Sequence, residues 1–227
     1  MVISDESVTL LVVADGMGGH ADGALAAEAT VATVEREFAA QKKPILDPRG
    51  FLHRLIERSH AEVVGLGKGR SLESRPRATC ALCLVQDDTA FWGHVGDSRI
   101  YHLRGDAVVG RSRDHSHVEV LLYAGAITVE QLASHPMRNY VECCLGGAAE
   151  LPRMSISGGK TMAAGDVMLV CSDGFWAPLP EAQLASLAVA DGALPDNLAA
   201  LAGIATRLAA PHSDNTSAAA VLACVVD

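Results

Sequence analysis

Basic residues are in short supply. Against 27 aspartates and glutamates stand 18 lysines and arginines, a formal net charge of −9, and this deficit argues against nucleic acid as a partner. No apolar run approaches the roughly 18 to 20 residues that a membrane span needs, so no membrane partner is expected. The N-terminus has no basic segment ahead of its short apolar run, and that run stops at Asp15. No secretory signal is therefore read, and the cytoplasm is the expected compartment. Zinc-type spacing of histidine and cysteine is missing, as are a Cys-x5-Arg nucleophile and a Ser-His-Asp arrangement. Repeats and low-complexity tracts are absent too. What is present is 227 residues at 49% hydrophobic content, a length that suits one domain, 1–227, with a multilayer core.

Six cysteines fit a reducing compartment. Cys80, Cys83, Cys171 and Cys224 lie in apolar, strand-like runs and read as small core hydrophobes. Cys80 and Cys83 form a CxxC, but positions i and i+3 of a strand face opposite sides, which disfavours a shared metal. Cys143 and Cys144 are adjacent, cannot bridge each other without strain, and read as inert.

The most informative segment is LLVVADGMGGH, Leu10 to His20. An apolar, β-branched run stops on an aspartate and turns through Gly16, Gly18 and Gly19, the pattern of a buried strand that delivers a carboxylate to a tight loop. The pattern recurs as VMLVCSDG at Val167 to Gly174, and an echo, HSDNTSAAAVLACVV, starts at His212. Asp15, Asp173 and Asp214 thus stand at strand ends far apart in sequence. Oxygen-only donor sets select hard divalent ions such as Mg2+ or Mn2+. Two such ions can activate a shared water and clamp a phosphate for in-line attack.

Helical spacing is read over Ala21 to Ala40 and Phe51 to Leu66, with a loop from Gly67 to Arg77. From Ala78 to Val109, three runs joined by short turns at Asp87-Asp88, Gly96-Asp97 and Arg104-Gly105-Asp106 read as one antiparallel meander. His115 to Leu132 reads as short helices broken at Gly125, and Ala133 to Gly147 as an irregular excursion. Strands over Leu151 to Ile156 and Asp166 to Cys171, helices over Pro180 to Leu208 and a closing strand over Ala218 to Val226 complete the reading. The order implies an α+β fold, a four-layer α-β-β-α sandwich of two antiparallel sheets flanked by helix pairs. A doubly wound parallel sheet is contradicted by the meander.

DGMGGH at Asp15, GHVGDSRIYHLRGD at Gly93, RDHS at Arg113, GDVMLVCSDG at Gly165 and SDNTSAAAV at Ser213, in this order, closely resemble the metal-dependent protein phosphatases 2C (PP2C, or PPM), bacterial branch. The resemblance spans Leu10 to Val226. It implies the same sandwich and hydrolysis of phosphoserine and phosphothreonine in proteins by a hydroxide bridging two Mn2+ or Mg2+ ions. By position, Asp15 resembles the carboxylate bridging both ions and Gly16 the donor of a carbonyl ligand. Asp173 and Asp214 resemble further ligands, and Asp97 a ligand of a third, weaker ion. His20 matches a histidine that passes a proton to the leaving group; the plainer reading is a helix cap. Residues 118–147 replace the family's variable flap beside the substrate cleft. Phosphoprotein substrates and a partner Ser/Thr kinase are implied.

Plainer readings stand beside these. Asp97 could close a hairpin, and Asp114 and His115 could brace a loop. Arg99 and Arg113 could be solvated or paired with acids, and His53, His60, His117 and His135 read as surface or loop residues. The family usually carries an R-x-x-N-x-D segment ahead of the first strand, whose arginine holds phosphate and whose acid holds the second ion. Only fourteen residues precede Asp15, and the first arginine is Arg36. SDES at Ser4 reads as a turn, Asp5 is the candidate for the missing ligand, and an unpaired sheet edge is expected there. The alternative function is accordingly an impaired PP2C-like module that binds phosphoproteins. A nuclease of the two-ion type is disfavoured by the acidic charge.

Overall fold

The computed structural model describes residues 1–5, 7–17, 21–132, 134–211 and 213–224. Strands β1 (Val2–Asp5) and β2 (Val8–Val13) form a hairpin, followed by the two-residue β3 (Gly16–Met17). Helices α1 (Ala21–Ala40) and α2 (Pro48–Leu66) come next. Then follow β4 (Arg77–Ala78), β5 (Cys80–Gln86), β6 (Thr89–Val95), β7 (Arg99–Arg104) and β8 (Ala107–Arg111). Short helices α3 (His117–Tyr123) and α4 (Val129–Leu132) precede β9 (Leu145–Gly146), β10 (Ser155–Ile156), β11 (Lys160–Thr161) and β12 (Val167–Cys171). The last described elements are α5 (Asp173–Trp176), α6 (Glu181–Ala185), α7 (Leu194–Ala209) and β13 (Ala218–Leu222).

Three apolar interfaces stack four layers. Helix α1 presents Ala26, Thr30, Val34 and Phe38, one face at fourfold spacing, and the Thr30 hydroxyl is satisfied by the Ala26 carbonyl at 2.8 Å. Asp47 caps α2, accepting from the Gly50 N–H at 2.9 Å, with Pro48 at the first helical position. Both helices cover a six-stranded antiparallel sheet ordered β1-β2-β5-β6-β10, with β11 also on β6. Because β2 is buried on both faces, its apolar run is continuous. Leu10 and Val12 pack toward the helices, and Leu11 and Val13 toward the second sheet. That sheet runs β13-β12-β7-β8. Met168 and Val170 of β12 face the first sheet, and Val167, Leu169 and Cys171 face α5 to α7.

The α-β-β-α sandwich is the fold expected from the element order, but several local readings need correction. The run from Ala78 to Val109 is not one meander. β5 and β6 pair in the first sheet and β7 and β8 in the second, and the chain crosses between sheets at Gly96 to Ser98. The SDES segment is half of the β1–β2 hairpin rather than a plain turn, so β1 covers the edge of β2 that was expected to be unpaired. Asp5 pairs with Val8, at the far end of β2 from Asp15, and meets Lys43 at 3.2 Å; it is no substitute ligand. Cys224 lies beyond β13 and is exposed, whereas Cys80 and Cys83 are buried on opposite faces of β5. Burial pushes the Cys80 thiol up to about 12. His60 is buried, not superficial, and its Nδ1 accepts from the Gly146 N–H at 3.2 Å. A small sheet of β3, β4 and β9 was not foreseen.

One buried carboxylate ties the second sheet together. Asp166, fully buried, meets His102 Nε2 at 2.7 Å and accepts from Arg104 Nε and Nη2 at 2.8 and 2.7 Å and from the Ala163 N–H at 2.8 Å. Hydrogen bonds from Arg104 hold its carboxyl well below the usual carboxylate range. A depressed carboxylate contributes stability above its unfolded value and loses it as pH falls. Asp166→Asn is expected to lower unfolding free energy by about 1 to 3 kcal/mol at pH 7, with a smaller difference at pH 3, as read from urea denaturation of both proteins.

Candidate active site

Four strand ends converge at one end of the sandwich. Asp15 follows β2, Asp97 sits where the chain crosses between sheets, Asp173 opens α5 after β12, and Asp214 precedes β13. Together with the backbone of Gly16 they line one cleft of about 680 Å³. The structure thus brings together all five residues proposed from sequence as metal ligands. His20 lies outside the described residues, as do Gly18, Gly19 and His212.

Neutral hydrogen bonds hold the acidic groups in place. Thr79 donates its N–H to the Asp15 carbonyl at 2.8 Å and accepts the Asp15 N–H on its hydroxyl at 3.1 Å. The same hydroxyl meets the Ser98 hydroxyl at 2.7 Å, so one buried threonine links the Asp15 turn to the Asp97 crossing. Gly96 has φ +104°, and a Cβ there would stand 2.7 Å from Thr79 Cβ, so the crossing requires glycine. Gly16 is equally constrained, because a side chain would strike the backbone of Gly23 in α1.

His115 braces the crossing. Its N–H donates to the Gly96 carbonyl at 2.9 Å and its Nδ1 accepts the Gly96 N–H at 3.3 Å. Asp114 grips Arg99 with two hydrogen bonds of 2.8 and 2.7 Å, so the bracing and pairing readings of these residues hold. On the other side, the Ser172 hydroxyl donates to the Asn215 carbonyl at 3.2 Å and accepts the Ser217 N–H at 3.1 Å. That bond ties the Asp173 loop to the Asp214 loop.

The electrostatics follow from crowding like charges in a part-buried cleft. Burial first, then the neighbouring Asp173, Asp214 and Asp97, push the Asp15 carboxyl up to about 8. Burial and Asp173 raise Asp97 to about 7, and burial also raises Asp173. A divalent cation relieves this repulsion, and a donor set of carboxylates plus one backbone carbonyl suits Mg2+ or Mn2+. Among the described residues no three acidic, histidine or cysteine side chains close into a cage. The residues fit the group.

Sequence reasoning missed several neighbours. Asn139 and Val141, from the excursion between α4 and β9, line the cleft. Trp176 donates its indole N–H to the Asp97 carbonyl at 3.0 Å. His94 is buried and stacks on His115 with ring centroids 4.6 Å apart. A polar Arg-Asn pair inside an otherwise irregular excursion was the only signal for Asn139.

A carboxylate-lined cleft at the end of an α-β-β-α sandwich defines the class of metal-dependent phosphatases. The model of the protein phosphatase 2C family matches residues 1–189, and the chain belongs to that family. A protein phosphatase 2C-type protein of Streptococcus pyogenes is 34% identical over 171 residues, covering 74% of this chain and 68% of its own. The solved serine/threonine phosphatase of S. agalactiae superimposes with a TM-score of 0.85 at 28% identity, covering 98% of this chain and 91% of its own. The catalytic domain of the phosphatase PstP, solved in complex with two manganese ions, gives 0.75 at 24% identity, with 96% and 88% covered. The family resemblance and the sandwich are thereby borne out.

Two expectations follow. Thr79→Val keeps the shape but removes the hydroxyl, and it is expected to cost about 1 to 2 kcal/mol and to weaken Mn2+ binding, measured by denaturation and calorimetric titration. The second concerns pH. In metal-free protein Asp15 keeps its proton up to about pH 8 when folded, but loses it near 3.8 when unfolded. The unfolded chain therefore binds fewer protons between these values, and this group's contribution to stability is lost as pH rises. The increase in melting temperature on adding Mn2+ should grow from pH 5.5 to pH 8, and Asp15→Asn should flatten that trend in a thermal-shift series.

Proposed function

We propose that the cleft hydrolyses phosphoserine and phosphothreonine in proteins, using two divalent ions, Mn2+ or Mg2+, with a third at Asp97. The observation that carries this reading is the convergence of Asp15, Asp97, Asp173 and Asp214 on one cleft in a chain of the protein phosphatase 2C family. Asp15 shares the cleft with Asp97, Asp173 and Asp214, all three of which act on its carboxyl, and suits a bridging position; the Gly16 carbonyl adds a neutral oxygen. Bound ions would supply charge neutralisation for the phosphoryl group and a water of lowered pKa.

The protein's own contribution is placement. Thr79 and Ser172 fix the acidic loops, and Asn139 offers an amide donor at the boundary between cleft and flap. His20 retains the role that the resemblance implies, a proton for the departing serine or threonine oxygen. Water adds to phosphorus as that oxygen leaves, and no side chain becomes phosphorylated. Charge neutralisation and positioning carry most of the rate in phosphoryl transfer.

No observation favours the alternative of an impaired binding module. The compartment and partners belong to the same proposal. The cysteines carry no disulfide, which suits the reducing cytoplasm, where a Ser/Thr kinase would generate the substrates. No described helix is long and apolar enough to cross a membrane. The flap at 118–147 and a single domain over 1–227 complete the reading.

Purified protein should release phosphate from p-nitrophenyl phosphate and from phosphothreonine peptides only with Mn2+ or Mg2+. Asp173→Asn should lower kcat by about two to three orders of magnitude, the scale of losing one electrostatic stabiliser. Full activity in that variant, or activity that persists in excess EDTA, refutes the mechanism.

A further inference from the structure

Beside the carboxylate cleft lies a second cavity of about 240 Å³, which shares Asp97, Asn139 and Asp173 with it. Its sandwich-side wall is Trp176. The ring is fixed on two sides, by the indole N–H on the Asp97 carbonyl at 3.0 Å and by the Arg99 guanidinium 3.3 Å from the ring centroid. Arg99 is itself held by the two hydrogen bonds it donates to Asp114. The opposite wall comes from the flap, with Val118 in the first turn of α3 and Leu132 at the end of α4. Ala177 completes the apolar lining, and Arg138 and Glu119 stand among its charged residues. The flap also exposes Tyr123, Val129 and Tyr140 to solvent, an apolar surface in keeping with contact to polypeptide.

We propose that this cavity receives an apolar side chain of the phosphoprotein substrate, a few positions from the phosphorylated residue, and so sets a sequence preference. The proposal rests on the phosphatase reading of the neighbouring cleft. With phosphate at the carboxylates, the substrate chain must leave across the rim. An extended peptide advances about 3.3 Å per residue, so a cavity sharing three wall residues with the cleft meets a side chain one to three positions away. Charge selects among candidates. An acidic side chain would face Asp97, Asp173 and Glu119. A basic one would meet Arg138, while Asp114 and Glu119 are already paired with Arg99 and Arg111 and the proposed function commits Asp97 and Asp173 to the ions. A branched aliphatic or aromatic group gains the walls of Trp176, Val118 and Leu132 and brings no charge of its own to desolvate.

The test is a phosphothreonine peptide series with a single leucine moved from position −3 to +3 in an alanine background, with lysine and aspartate controls, assayed on Mn2+-loaded protein. Leucine at one position should raise kcat/KM about tenfold over alanine, mainly through KM. Leu132→Asp should bring that ratio to within twofold of one, and Leu132→Met should preserve it. The readout is the ratio within each protein, so a general change in activity does not enter. A flat series in the wild type, a preference for lysine or aspartate, or an unchanged ratio in Leu132→Asp overturns the proposal. Absence of phosphate release from every peptide and from p-nitrophenyl phosphate overturns the phosphatase reading as well, whereas release with a flat series overturns only the pocket.

Discussion

Carboxylates repel, and at an effective dielectric constant near 20 two unit charges 4 Å apart oppose each other by about 4 kcal/mol. The cleft gathers Asp15, Asp97, Asp173 and Asp214, and burial first, then these neighbours, push the Asp15 carboxyl up to about 8. Charge repulsion within the acidic set opposes this arrangement. It persists because neutral struts bind the backbone that carries it. Thr79 joins the Asp15 turn to Ser98, Ser172 joins the Asp173 and Asp214 loops, and Trp176 holds the Asp97 carbonyl. These bonds are buried or part-buried, so breaking one leaves polar groups unsatisfied, which costs more than making it gains.

Such struts need rigid anchors, and the sandwich supplies them. β2 and β12 lie between two apolar interfaces each, so neither can slide without flipping its residues between layers. Both strands end in an aspartate at the same end of the molecule. Paired antiparallel sheets bring strand ends from distant parts of the sequence to one rim. The Asp97 crossing adds a carboxylate between the sheets, where a hairpin confined to one sheet would have carried it elsewhere.

Legibility in the sequence follows from how local each cause is. The runs into Asp15 and Asp173 were readable because a strand buried on both faces must be apolar throughout, and the α1 face because its spacing is helical. The sheet crossing at Gly96 was not, since a glycine turn between apolar runs looks alike whether the next strand pairs with its neighbour or leaves for the other sheet. β1 escaped notice because it is short and largely exposed, with little alternation to reveal it. His60 and His94 looked superficial or went unremarked, since the backbone groups that satisfy them, at Gly146 and Arg113, lie far away in sequence. Asn139 and Arg138 reach the clefts from an irregular segment, where no period marks which side chains point inward.

The disposition of the cations explains why the cleft stays acidic. Arginine is the residue best able to neutralise a carboxylate, and Arg99 stands beside Asp97 and Asp173, yet its fork is engaged elsewhere. Arg99 is clamped by Asp114 and stacked on Trp176. Arg111 meets Glu119 and Glu181. Arg99 consequently exerts the smallest of the influences on Asp97, where burial and Asp173 dominate. Had Arg99 been free to swing onto Asp97, the protein would have built an internal salt bridge, and an external cation would then have to displace a bidentate partner. Pairing Arg99 with Asp114 leaves the aspartates of the cleft without that guanidinium, an imbalance that suits a divalent ion.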